Sequence, residues 1–193
     1  MILYGASGHS KVIYDCLKSQ GIQLSAIYDD DFKKKEFLNF KIDGPYNSNL
    51  KVHVPLIIGI GNNEIRKRVS SGIIHKFGSI AHKTAIISPY ARYGLGTVVF
   101  QGAIIQSDVK IGEHCIINTN ASVDHDSTIG NFVHIGPNAT ICGNVAIGDG
   151  TLIGAGSTIL PNLTIGKGVV IGAGSVVIKD VIDGSKIYGN PAK

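Results

Sequence analysis

The sequence predicts a chain in two parts: a small α/β unit with a parallel sheet over residues 1–79, then a parallel β-helix of about five coils over 80–193 that ends in a C-terminal tail. Three observations predict it. Before residue 80, short apolar stretches alternate with glycine turns and helical spacing. From Ile87 to Val177, an aliphatic residue recurs at every sixth position. Glycine is abundant at 25 of 193 residues and Trp is absent, which suits many tight turns between short strands.

The first part follows in order. Met1–Tyr4 is an apolar strand running into the turn Gly5-Ala6-Ser7-Gly8-His9. From Ser10 to Gln20 the spacing is helical, with Val12, Ile13, Cys16 and Leu17 on one face, and Gly21 is placed to end the helix. The sequence then predicts a second strand over 24–28, closing on Asp29-Asp30-Asp31. Residues 32–53 show no clear pattern. A third buried strand is predicted over 54–60, then Gly61-Asn62-Asn63 and a helix bearing Glu64, Arg66, Lys67 and Arg68. This alternation is Rossmann-like.

The second part is a repeat. Stepping by six from Ile87, through Tyr93, Val99 and Ile105, to Val177, every residue but Tyr93 is Ile or Val. A small or aliphatic residue stands two positions before each. Neither a heptad nor a 3.6-residue surface gives that period. One unit is one short strand and one turn. Three units make a triangular coil of 18 residues, and each inward residue stacks on the one 18 positions later, about 4.8 Å away. Gly94, Gly112, Gly130, Gly148 and Gly166 follow the inward residue on one side, where a corner is expected to need positive φ.

Composition narrows the function. The net charge of +4 is mild, and no Lys/Arg stripe suggests nucleic acid. Lys33-Lys34-Lys35 is expected to be a solvated loop. Cys16, Cys115 and Cys142 are far apart with no CxxC, so neither a disulfide nor a zinc framework is expected. No apolar run of membrane-spanning length is found, and no leader and a cytoplasmic setting are expected. Gly5-x-x-Gly8 falls short of the dinucleotide fingerprint and disfavours a redox cofactor.

Several motifs together carry a resemblance. Hexads of the form I-G-x-x-[STAV]-x, an opening YGASGH, the Asp pair after the second strand, GIGNNEIRKRV, a DHD turn and a closing YGNPAK resemble the bacterial sugar O-/N-acyltransferases, in particular those that N-acetylate UDP-4-amino-4,6-dideoxy sugars. A related group O-acetylates sialic acid. The resemblance implies a left-handed β-helix, a homotrimer with sites between subunits, acetyl-CoA as donor and a UDP-linked amino sugar as acceptor. It implies that the first part holds the uridine nucleotide, with Gly8, His9, Asp29 and Asp30 as candidates. Gly59, Gly61 and Asn62 could line the same crevice.

The stretch ASVDHDSTIGNFVHIGPNATICG (121–143) then gains meaning. His125 and His134 lie nine residues apart, which is half a coil, so they sit on opposite sides of one prism. Two copies side by side would bring one of each into a shared cleft. Imidazole suits proton removal from an attacking amine near neutral pH, and a neighbouring carboxylate orients the ring. The resemblance makes His125 the general base. Asp126 is its partner, where the family often has Glu, so contact is expected either directly or through water. Asn118 matches a polar site position. Gly143, 18 residues after His125, is the candidate N–H donor to the thioester oxygen. His134, Gly143, Ala155 and Ala173 are the cofactor candidates; Gly143 and Ala173 are expected in one column at 18-residue spacing, with Ala155 offset onto another side. Lys167, Lys179, Lys186 and Lys193 could meet the cofactor phosphates.

The remaining histidines carry less. His53, His75 and His114 are expected at the surface, and His82 is expected to pack on or cap the first coil. His114, His125 and His134 stack no pair on one side, so no zinc site is expected. Cys142 is expected to be a small outward thiol. O-acetylation of a sugar and non-catalytic sugar-nucleotide binding are the alternative functions.

Overall fold

The computed structural model describes residues 1–193. The first part runs β1 (Ile2–Tyr4), α1 (Gly8–Ser19), β2 (Ala26–Tyr28), β3 (Glu36–Phe37), β4 (Phe40–Lys41), β5 (Leu56–Ile58) and α2 (Asn63–Ser70). Strands β2, β1 and β5 form a parallel sheet in that order. Each is buried along its whole length, and side chains alternate between its two faces. Leu3, Ile27 and Ile57 pack with Ile13, Cys16 and Leu17 of α1. Ile2, Tyr4, Ala26, Tyr28, Leu56 and Ile58 pack on the other side. Gly21 ends α1 as expected: at φ +68° it lets Ile22 N–H reach back to the Leu17 carbonyl at 2.9 Å. The unpatterned stretch after β2 holds only the small antiparallel hairpin β3–β4.

The second part is a left-handed parallel β-helix with three faces. The first face stacks Ile86–Ile87, Ile104–Ile105, Ser122–Val123, Thr140–Ile141, Thr158–Ile159 and Val176–Val177. The second stacks Arg92–Tyr93 through Thr164–Ile165, and the third stacks Ile80–Ala81 through Lys186–Ile187. Partners are 18 residues apart, as in Ile117↔Ile135↔Ile153↔Ile171. The inward aliphatics make one continuous core of 25 buried residues. Hydroxyls that share this core are satisfied locally. Thr151 donates to the Gly166 carbonyl at 2.7 Å and accepts the Val169 N–H at 3.1 Å.

Two expectations need correction. The prism has about six turns, not five. Ile80–Ala81 begins it, but Ala81 hides the aliphatic signal. At the far end a shortened step lets Val181 bridge to Ile165, and Lys186–Ile187 then closes the third face. The glycines at 94, 112, 130, 148 and 166 do not have positive φ. They are there for space: a Cβ at Gly148 would lie 2.6 Å from the Lys167 nitrogen of the next coil. Positive φ falls instead one residue before each small inward position, as at Asn120, Asp126, Phe132 and Asn138.

The two parts share a seam. Leu3, Ile13, Cys16 and Phe37 pack with Ile80, Val98, Phe100 and Ile116 of the prism in one apolar cluster. The structure overturns the surface expectation for two histidines, His114 at this seam and His75 inside the first part. His114 is 4% exposed, held edge-on by Phe77 and stacked on Phe132. His75 is equally buried, bonded to Tyr46 Oη at 2.8 Å and the Leu50 carbonyl at 2.9 Å. His53 is exposed and His82 half-buried.

Candidate active site

Two groups of polar side chains stand out, on opposite sides of the prism. The first lies at the corner between the first and second faces. His125 and Asp126 are both exposed there, and Nδ1 of the ring lies 2.8 Å from Asp126 Oδ2. The contact is direct. Asp126 sits at φ 60°, a conformation Asp tolerates, and this turns its short carboxylate back onto the preceding ring. Asp124 Oδ1 accepts the His125 N–H at 2.8 Å. The bond to Asp126, with the charge of Asp124, raises the His125 pKa above the ordinary imidazole value.

Gly143 lies on the next coil against this ring. A Cβ there would fall 2.7 Å from His125 Cε1 and 2.8 Å from Nε2. Only a glycine admits the imidazole so close to the backbone. The Gly143 N–H makes no hydrogen bond within the chain, nor do those of Ala155 and Ala173. A groove beside the corner is lined by Gln106, Ser122, Asp124, Thr140 and Cys142. Cys142 is half-exposed, and burial and the Asp124 charge raise its pKa.

The second group lies between the third face and the turns that follow β1 and β5, and His134 lines a crevice there. His134 Nε2 lies 2.9 Å from Asn118 Nδ2. The amide donates, so Nε2 accepts and the ring proton is assigned to Nδ1. The His9 ring stands 6.3 Å from that of His134 and 5.2 Å from Phe100, and its Nε2 is buried without a partner. Burial pushes both imidazoles down to about 4. His9 is lowered further by His134 and Arg66, and His134 by Arg66. Both are therefore neutral at pH 7. The crevice, about 340 Å³, continues past Gly61, Asn62, Glu64, Leu152 and Val170.

Gly8 opens α1 at the same edge and is exposed. Asp29 is largely committed: its carboxylate takes the Ala6 N–H at 2.7 Å, the Asp31 N–H at 2.9 Å and Lys34 Nζ at 2.9 Å. Burial pushes its pKa up, but these bonds outweigh burial and hold it below the usual carboxylate value. It braces the glycine turn, and Lys34 is its ion-pair partner rather than a free loop cation. Asp30 is exposed and accepts from the Tyr4 hydroxyl.

The structure thus brings His125, Asp126 and Gly143 together, and separately His9, His134 and Asn118. Ala155 and Ala173 belong to neither group. They are exposed and share one column at the corner after the third face, away from Gly143. Lys167, Lys179, Lys186 and Lys193 are exposed. Sequence alone missed Arg66 and Phe100, which are buried behind the crevice, Arg66 bonded to the Gly61 carbonyl and Phe100 packed on the His9 ring. The only hint was that one cation of α2 falls on its apolar side.

Residues 1–73 match the PglD N-terminal domain, and residues 126–161 and 147–179 match the bacterial transferase hexapeptide repeats. Over its whole length the chain resembles a histidine-to-asparagine variant of perosamine N-acetyltransferase from Caulobacter crescentus, solved with CoA and GDP-perosamine. Identity is 31%, coverage 100% of this chain and 94% of that one, and the TM-score 0.94. The chain belongs to the left-handed β-helix sugar acyltransferases. This acetyltransferase also resembles the acetyltransferase domain of PglB from Neisseria gonorrhoeae, solved with acetyl coenzyme A, at 34% identity over 100% and 97% of the two chains, TM-score 0.92. WeeI from Acinetobacter baumannii matches at 31% identity over 100% and 97%, TM-score 0.89. No helix of the acetyltransferase is long and apolar enough to cross a membrane.

Proposed function

We propose that this acetyltransferase moves the acetyl group of acetyl-CoA onto the amino group of a UDP-linked 4-amino-4,6-dideoxy sugar. The observation that carries this is the exposed His125–Asp126 pair with the bare Gly143 backbone against its ring. Nε2 is the free nitrogen, because Nδ1 faces Asp126. As the amine nitrogen bonds to the thioester carbon, Nε2 takes the amine proton. The Gly143 N–H faces the oxyanion. The C–S bond then breaks, and the thiolate of coenzyme A leaves and recovers the proton from the imidazolium. No acyl-enzyme forms.

The α/β unit, residues 1–79, holds the nucleotide. Its crevice lies outside the carboxyl ends of parallel strands, where such sheets bind ligands, and the start of α1 at Gly8 offers N–H groups to a phosphate. His9 and Asp30 complete that side, and Asp29 acts by bracing the turn. The prism, residues 80–193, holds the donor, and the free N–H groups of Ala155 and Ala173 suit the amides of a pantetheine arm. His134 and Asn118 act as one bonded unit on the crevice wall. His125 lies on the far side of the same prism, so the His125 of a neighbouring copy completes the cleft in a homotrimer. A cytoplasmic setting, where such activated donors and acceptors would meet the enzyme, is part of this proposal.

The test is release of coenzyme A thiol with a panel of UDP- and GDP-linked amino sugars and their hydroxyl counterparts, with product masses recorded. His125→Ala is expected to abolish turnover while remaining folded and trimeric. Near-normal turnover in that variant removes the assignment, and an active isolated subunit removes the shared cleft.

A further inference from the structure

Helix α2 carries Glu64, Arg66, Lys67 and Arg68, and one of them is treated unlike the rest. Glu64, Lys67 and Arg68 are exposed, whereas Arg66 is 1% exposed. No carboxylate pairs with it. All five of its N–H groups donate to neutral oxygens. Nε reaches the His114 carbonyl at 2.8 Å. Nη1 reaches the carbonyls of Ile60 at 3.0 Å and Gly61 at 3.1 Å, and Nη2 reaches Asn63 Oδ1 at 2.8 Å and the Phe132 carbonyl at 3.1 Å.

The acceptors on the prism form a column. His114, Phe132 and Gly150 hold the same corner of three successive coils, all with positive φ. Arg66 takes the first two carbonyls, and Asn63 Nδ2 takes the third at 3.0 Å. Residues three apart share a helix face, so two side chains of one turn climb one ladder of carbonyls. A buried cation without a counter-ion loses hydration that dipoles only partly restore. An apolar residue would fill the space without that cost.

The crevice gives the cation a purpose. Arg66 grips the loop Ile60–Gly61, and the Gly61 carbonyl lies beside the His134 ring. We propose that Arg66 is a positioning residue of the acetyltransferase: by bonding the Ile60 and Gly61 carbonyls and the carbonyl column of the prism at once, it fixes the Gly61 loop over the third face, where the nucleotide-sugar is proposed to bind. This rests on the function proposed above. Burial is the first cause of the low pKa of His9, His114 and His134; the Arg66 charge adds to it for His114 and His134, and, after the His134 charge, for His9.

Two variants separate grip from charge. Arg66→Lys keeps the charge and loses the ladder; Arg66→Met loses both. Ring-¹⁵N spectra are expected to show the His134 Nδ1 resonance, which the Gly61 carbonyl beside the ring sets, moving in both variants. Calorimetry with UDP and GDP is expected to show about tenfold weaker binding in both variants, with acetyl-CoA affinity within about twofold. An unmoved His134 resonance, or full nucleotide affinity, in Arg66→Lys overturns the proposal. If Arg66→Met does not fold, Arg66→Lys alone still decides, because only a structural role would leave both readings intact. If the unaltered protein binds neither nucleotide, the proposed function fails, while the His134 resonance still judges Arg66.

Discussion

Replacing Gly143 with alanine adds one methyl group against the His125 ring. That methyl would stand 2.7 Å from Cε1 and 2.8 Å from Nε2, where ordinary contact begins near 3.4 Å. The ring is exposed, so it yields, moving by about 0.7 Å, the difference between 2.7 and 3.4 Å. The same movement stretches the 2.8 Å bond to Asp126 to about 3.5 Å, beyond useful hydrogen-bond length. Gly143 does not need a positive φ, so alanine brings no backbone strain. Folding stability is therefore expected to change by less than about 1 kcal/mol. Turnover is expected to fall about a hundredfold, as displacements of this size do when they spoil an aligned base. The assay is thiol release at saturating substrates, with thermal melting as the control for folding. The acid limb of the rate profile supplies a second reading: freed from Asp126, the imidazole protonates at lower pH, and the limb moves down. Turnover equal to that of the unaltered enzyme would refute the reasoning.

Further outcomes can be checked in parallel. Asp126→Asn removes the main cause of the raised His125 pKa, so the acid limb should shift to lower pH while the plateau rate drops; an unmoved limb in a rate–pH profile counts against the pairing. His9, His114 and His134 all sit at about 4 when folded. The unfolded chain takes up these protons first, from about pH 6.5, so stability is intact above that pH and falls as the pH drops towards 4. Each group contributes at most about 1.4 kcal/mol per pH unit, and partial exposure and mutual repulsion reduce this, leaving about 2–4 kcal/mol in total at pH 5. Urea midpoints followed by tyrosine fluorescence at pH 7.5 and 5 measure it, and equal midpoints would exclude it. Ile153→Ala opens a cavity between Ile135 and Ile171 and should cost about 2–5 kcal/mol in the same assay, without moving the midpoint of the His125 titration.

What the sequence revealed depends on how local the cause was. The hexad period fixes which residues point inward, and it placed His125, Asp126 and Gly143 together and His134 on the opposite side. Those relations need only counting, because each coil repeats the last. The seam was illegible. Arg66 reads like its neighbours Lys67 and Arg68 until the prism's carbonyls are in place, and His114 reads as one more corner residue until Phe77 covers it. The spaced glycines were seen but misunderstood, because the close approach of the next coil does not show in a single repeat. Ala155 and Ala173 share a column with each other and not with Gly143, an error of corner identity that a triangular count resolves. Residues 32–53 gave no signal, since β3 and β4 are two residues each and the rest is irregular.

The strict stacking of corners limits how this chain can change in length. Inserting a single hexad between His125 and His134 would leave every inward aliphatic in phase and the core intact. It would nevertheless carry His134 onto a neighbouring face, away from His9 and Asn118. A whole lap added there would return His134 to its own face but one coil higher, about 4.8 Å further from Asn118 and His9, so it too would break their contact. Above Gly150 α2 no longer grips the column, yet the laps there carry Leu152 and Val170 of the crevice and the proposed donor contacts at Ala155 and Ala173, so their number is constrained by the ligands instead.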